Sequence, residues 1–158
     1  MSEFREARLN KAKSLIQKGV EPYSDKFEVT HTTKFLLENY NYLDNGQELD
    51  LEVSLAGRVL ARRVMGKIAF FSISDQEGPI QLFLDKYIID QNNKKLSFED
   101  LKELVDIGDW IGVKGSLKKT NKGELSIKVS TWKMLSKSLQ PLPDKWHGLT
   151  DIEKRYRQ

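Results

Sequence analysis

Two periodicities divide the chain, and the change from one to the other lies near residue 53. Over residues 2–18, Leu9, Ala12, Leu15 and Ile16 fall on one stripe of a helix that Ser2 can cap and Gly19 can end. Glu21-Pro22-Tyr23 then breaks the chain into a loop. A short helix is predicted near Thr32 to Tyr42, with Phe35, Leu36 and Leu37 to dock it on something larger, and Asp44-Asn45-Gly46 marks a turn.

From Val53 onward the apolar residues alternate. Val53, Leu55, Gly57, Val59 and Ala61 share one face of a first strand, and Gly66 ends it. Ala69, Phe71 and Ile73 face inward from a second. After the Glu77-Gly78-Pro79 turn, Ile80, Leu82 and Leu84 do so from a third. A polar loop, Asn92 to Lys95, precedes a helix capped by Ser97, with Asp100 as its capping-box partner. Asp106-Ile107-Gly108-Asp109 closes that helix. A fourth strand (Ile111, Val113, Gly115, Leu117) and a fifth (Leu125, Ile127, Val129) follow, joined by Asn121-Lys122-Gly123. This order predicts a mainly β fold with helices: a five-stranded OB-fold Greek-key barrel with N-terminal helices before it and a helix between strands three and four. The expected organisation is a helical extension packed on the barrel over residues 1–50, the barrel over 51–136, and a linker over 137–158 that Pro141-Leu142-Pro143 stiffens.

Composition narrows the function classes. A length of 158 residues suits one domain with a real core. No apolar run is long enough to span a bilayer, and no signal-peptide core follows Met1, so no membrane partner and a cytoplasmic location are expected. There is no cysteine, and the two histidines, His31 and His147, lie far apart, so no metal site is expected. No nucleophile elbow or P-loop is present, so no catalytic residue is expected. Net charge is only +3, but basic residues gather in the first helix, around Arg58 to Lys67, at Lys114 to Lys122 and at the C-terminus. Arg8, Lys11 and Lys18 flank the apolar stripe of the first helix, where a solvated face and RNA contact are both open.

The outward strand residues point to binding. Phe70 stands opposite Ala69 and Phe71, Gln81 occupies the same outward register, and Glu124 opens the outward set of the last strand with Ser126 and Lys128. A ring, an amide, a carboxylate and the Arg62-Arg63 pair suit single-stranded bases: the ring stacks, and the amide matches the N3–H and a carbonyl of uracil. The plainer alternative has Phe70 packed under a loop or the N-terminal helices. Strict alternation turns Arg62 outward and Arg63 inward, so Arg63 reaches a groove only if the strand bulges or ends before it.

These residues also carry a family resemblance. Ala56-Gly57-Arg58-Val59, Ala61-Arg62-Arg63, Lys67-Ile68-Ala69-Phe70-Phe71, Gly78-Pro79-Ile80-Gln81-Leu82, Asp106-Ile107-Gly108-Asp109 and Lys122-Gly123-Glu124-Leu125-Ser126 resemble the anticodon-binding domains of class II aminoacyl-tRNA synthetases of the lysyl, aspartyl and asparaginyl group. The stretch from Lys137-Ser138-Leu139-Gln140-Pro141 through Lys145-Trp146-His147-Gly148-Leu149 to Gln158 is similar to the lysyl branch, the N-terminal anticodon-binding domain of class II lysyl-tRNA synthetases.

The resemblance covers about residues 4–158 and implies roles. Phe70 would stack on the central anticodon base, a uridine in lysine tRNA. Gln81 and Arg63 would read that base, with Glu124 at the same pocket. Lys119 and Asn121 would contact flanking nucleotides, and Arg62 stays a candidate beside Arg63. The resemblance also implies a parent lysine–tRNA ligase that charges tRNA with lysine in protein synthesis. That parent would be a homodimer using ATP and magnesium in a catalytic domain. The chain stops at Gln158 without the motifs that hold ATP, so by itself it is expected to be inactive, to need no cofactor, and to be free to be monomeric. Two other classes stay open for the chain alone: a free-standing single-stranded nucleic-acid-binding OB-fold module, and a protein-interaction module.

Overall fold

A computed structural model of the chain describes residues 2–17, 27–93 and 95–139. The predicted helix stop at Gly19, the Glu21-Pro22-Tyr23 loop and the tail from residue 140, with Pro141-Leu142-Pro143, lie outside the described residues. Helices α1 (Ser2–Gln17) and α2 (Thr33–Tyr40) precede strands β1 (Glu48–Met65), β2 (Ile68–Asp75) and β3 (Gly78–Asp85). Helices α3 (Lys86–Asn92) and α4 (Phe98–Leu104) follow, then β4 (Trp110–Lys119) and β5 (Leu125–Ser136). Among the described residues, no helix is long and apolar enough to cross a membrane.

The strands close into a barrel in the order β1-β2-β3-β5-β4. Every neighbouring pair is antiparallel except β3 and β5, which run parallel. The expected inward sets are buried with one exception, Ala61. Phe71, Ile73, Leu82, Ile111 and Ile127 lie at the centre of the core, and each such side chain contributes about 1.5–3 kcal/mol by leaving water.

The exception has a cause remote in sequence. Val59 donates its N–H to the carbonyl of Asp109 and accepts from the N–H of Gly108. With Val59 tied to that turn, the β1–β2 register slips between Val59 and Ala61, and Leu60 is extruded as a bulge. Beyond the bulge the faces of β1 are exchanged. Arg62 pairs with inward Phe71, and Arg63 pairs with Phe70 on the outer face.

Two short helices, rather than the one expected, join β3 to β4. Asp85 caps α3 by accepting from the N–H groups of Tyr87 and Ile88, and only Ile89 of this helix is buried. Seven residues with a single buried position are too few for a helical period to be read. In α4 the capping box of Ser97 and Asp100 is present, and Phe98, Leu101 and Leu104 are buried.

Helix α1 is fastened by charge as well as by Ala12 and Leu15. Arg8 is buried, which neither reading of its helix face foresaw. Its Nε lies 3.2 Å from Asp106 Oδ2, and it donates to the carbonyls of Ile107 and Ser138. Lys11 Nζ lies 2.7 Å from Asp106 Oδ1.

Burial works against the charged form of Asp106. Hydrogen bonds from Lys11 and Lys137, with the charges of Lys137 and Arg8, outweigh it and hold the pKa below the ordinary aspartate value of 3.8. A lowered carboxylate pKa gives stability that is complete above the ordinary value and lost as pH falls through the folded one. Asp106→Asn should therefore cost stability at neutral pH and flatten the loss below about pH 4. Urea midpoints measured across that range check this, and parallel curves for the two proteins would contradict it.

Candidate nucleic-acid interface

A cleft of about 490 Å³ opens on the outer face of the barrel. Arg63 and Met65 of β1, Phe70 of β2, and Gln81 and Phe83 of β3 form one side. Lys118 at the end of β4 and the turn Thr120 to Glu124 form the other. No described residue of α1 or α2 lines it, so Phe70 is half-buried in an open cleft rather than packed beneath the N-terminal helices.

The floor is a row of cross-strand partners. Arg63 pairs with Phe70, and Phe70 with Phe83. The Arg63 guanidinium lies over the Phe70 ring, 5.1 Å from its centroid, and Lys118 Nζ lies 4.7 Å from that of Phe83. The rings stand 5.7 Å apart at 54°. Each pairs a flat apolar face with a cation, which suits a base stacked on the ring and a phosphate or carbonyl at its edge.

One row along, Gln81 donates from Nε2 to Ser126 Oγ at 2.9 Å, and Ser126 donates in turn to the carbonyl of Glu124. The turn above is held by Thr120. Its hydroxyl accepts from Glu124 N–H, its carbonyl accepts from Gly123 N–H, and Gly123 takes a φ of 90°. Outside the lining, Glu48 meets Lys128 at 2.7 Å and the cleft residue Lys118 at 3.5 Å. The hydrogen bond from Lys128 is the main reason that the pKa of Glu48 is lowered.

Five of the seven candidate residues come together here: Phe70, Gln81, Arg63, Glu124 and Asn121. The other two do not. Arg62, on the inner side of the bulge, donates to the carbonyls of Val105 at 2.7 Å and Lys102 at 2.6 Å, and lies against the Phe71 ring. It holds the C-terminal end of α4 beneath the barrel. Burial lowers its pKa, with Asp106 and Asp109 opposing. Lys119 points out of the cleft, where its Nζ donates to the carbonyl of Asn41 at 2.7 Å. Conversely, Phe83 lines the cleft and was not singled out from sequence. The signal for Phe83 was present, two residues beyond Gln81 in the same outward register.

Comparison with known proteins agrees with the barrel fold. The tRNA anticodon family model, described as an OB-fold nucleic acid binding domain, matches residues 53–135. The chain is similar to the lysine–tRNA ligase of Prochlorococcus marinus (strain MIT 9515), 76% identical over 161 residues. That alignment covers 100% of this chain and 31% of the relative. It is also similar to the lysine–tRNA ligase of Synechococcus sp. (strain RCC307), 56% identical over 158 residues, with 100% and 30% covered. The chain thus spans about a third of the length of these relatives. A closed five-stranded barrel, an aromatic and basic cleft across its face, and a family match over the barrel lead to one conclusion: the chain belongs to the tRNA anticodon family of OB-fold nucleic acid binding domains.

Proposed function

We propose that this chain recognises the anticodon loop of lysine tRNA on behalf of a lysine–tRNA ligase. The observation that carries the reading is the cleft that Phe70, with its ring under Arg63, lines together with Gln81. A pyrimidine stacked on Phe70 sets its Watson–Crick edge toward Gln81, while Arg63, Lys118 and Lys122 meet the backbone or base carbonyls. The names of the relatives support lysine as the amino acid.

In this reading residues 1–50 brace the barrel, and residues 137–158 lead toward a catalytic domain outside this chain. There, ATP and magnesium would serve the charging of tRNA, in a homodimer working in the cytoplasm. This chain alone would bind RNA without charging it.

Binding of a lysine anticodon stem-loop, followed by fluorescence anisotropy, tests the proposal. Phe70→Ala should weaken binding by about 1–3 kcal/mol, the worth of one stacked base. Arg63→Ala should weaken it and reduce its salt dependence, because a phosphate contact releases counterions. Arg62→Ala should instead lower the unfolding free energy while leaving affinity nearly unchanged, since its guanidinium is spent on α4. Unchanged affinity in both Phe70→Ala and Gln81→Ala would rule out this cleft as the site.

A further inference from the structure

We propose that Ser126 is a positioning residue that makes the cleft selective for uracil over cytosine, an inference that rests on the anticodon-binding reading above. Ser126 is fully buried although it lies on the outer face of β5, opposite to Leu125 and Ile127. It does not line the cleft. It sits behind Gln81, its direct partner across the parallel β3–β5 pairing.

The hydrogen bonds around it set which way the Gln81 amide points. The one proton of the Ser126 hydroxyl goes to the Glu124 carbonyl, 3.2 Å away. Its oxygen is therefore an acceptor toward Gln81, and Nε2 fills that role at 2.9 Å. Oε1 and the second N–H of Gln81 are left to face a ligand. If the amide turns over, Oε1 meets the hydroxyl oxygen, and Ser126 must give up the Glu124 carbonyl to satisfy it. The reversed amide thus costs one hydrogen bond.

The direction of that amide separates the two pyrimidines. Uracil offers an N3–H between two carbonyls, so N3–H donates to Oε1 and a carbonyl accepts from Nε2. Cytosine in the same seat turns the lone pair of N3 toward Oε1. It fits only the reversed amide, with Nε2 donating to N3 and Oε1 accepting from the N4 amino group. A glutamine free to turn over reads both bases, whereas one pinned from behind reads uracil.

The test uses the full chain and two anticodon stem-loops that differ only in U or C at the central position. Dissociation constants are measured for the parent, Gln81→Ala, Ser126→Ala and Ser126→Thr, with thermal melting of each protein alongside. The expected result is that the parent prefers U and that Ser126→Ala lowers the U-to-C preference several-fold, up to about tenfold. Binding to the C loop should rise relative to the U loop, while Ser126→Thr, which keeps the hydroxyl, retains the preference. If Ser126→Ala keeps the parent's ratio, or loses affinity for both loops equally, while Gln81→Ala abolishes the preference, the role of Ser126 is overturned and the anticodon reading stands. If the parent itself shows no preference, both are overturned.

Discussion

Asp109→Ala is expected to lower the unfolding free energy by about 3–5 kcal/mol, the usual consequence of stranding a buried charge. Asp109 is fully buried, and its oxygens serve four donors. Oδ1 accepts from the N–H of Ser138 at 2.7 Å and from Arg8 at 3.5 Å. Oδ2 accepts from the N–H of Asp106 at 2.8 Å and from Lys137. Lys137 is also buried, and its ammonium donates to Asp109, to Asp106 and to the carbonyl of Leu104. Without the Asp109 carboxylate, the Lys137 ammonium keeps a single carboxylate, and two backbone N–H groups lose their acceptor. Urea unfolding measures the loss. A change below about 1 kcal/mol would mean that water or a shifted side chain replaces the carboxylate. Because the partners are coupled, Asp109→Asn with Lys137→Met should cost less than the sum of the two single changes. The same turn holds Val59, so the loss should reach the bulge that presents Arg63.

Gly115→Ala is expected to cost about 3 kcal/mol or more, at the upper end for overpacking. A Cβ built on Gly115 lies 2.0 Å from the carbonyl oxygen of Lys128 and 3.0 Å from Cα of Val129. Both atoms are backbone, so no rotamer change relieves the overlap, and β4 and β5 must separate. The approach is this close because the β4–β5 register slips at Lys114 and Gly115, which brings the β5 backbone across the face of the glycine. Gly66 is the contrast. Its φ is 68° and nothing lies within 4 Å of an added Cβ, so Gly66→Ala should cost only the roughly 1–2 kcal/mol of a left-handed alanine. Comparing the two by urea unfolding separates steric overlap from backbone strain, and equal costs would contradict the close approach. Stem-loop binding should weaken further in Gly115→Ala, because β4 and β5 carry the basic turn of the cleft.

Much of the cleft was legible because strand alternation is local. Phe70 and Gln81 were placed on the outer face from their immediate neighbours, and the structure puts both there. The same rule applied one strand earlier misassigned Arg62 and Arg63. The bulge at Leu60 is imposed by a turn about 50 residues downstream, and no pattern around residue 60 announces it. Arg8 was unreadable for a related reason. An arginine on a helix face looks solvated until Asp106 and Asp109 arrive from another part of the chain.

By itself the sequence determined the strands, their inward faces except in β1 beyond Leu60, the capping box at Ser97 and the register of Phe70 and Gln81. Each depends on residues a few positions apart. Tertiary structure alone decided that Arg62 turns to the end of α4, that Lys119 leaves the cleft for Asn41, and that Arg8 is buried. It also decided that Ser126 stands behind Gln81, 45 positions away. The reason is the same in every case: these side chains are oriented by partners that only closure of the barrel brings within hydrogen-bonding distance.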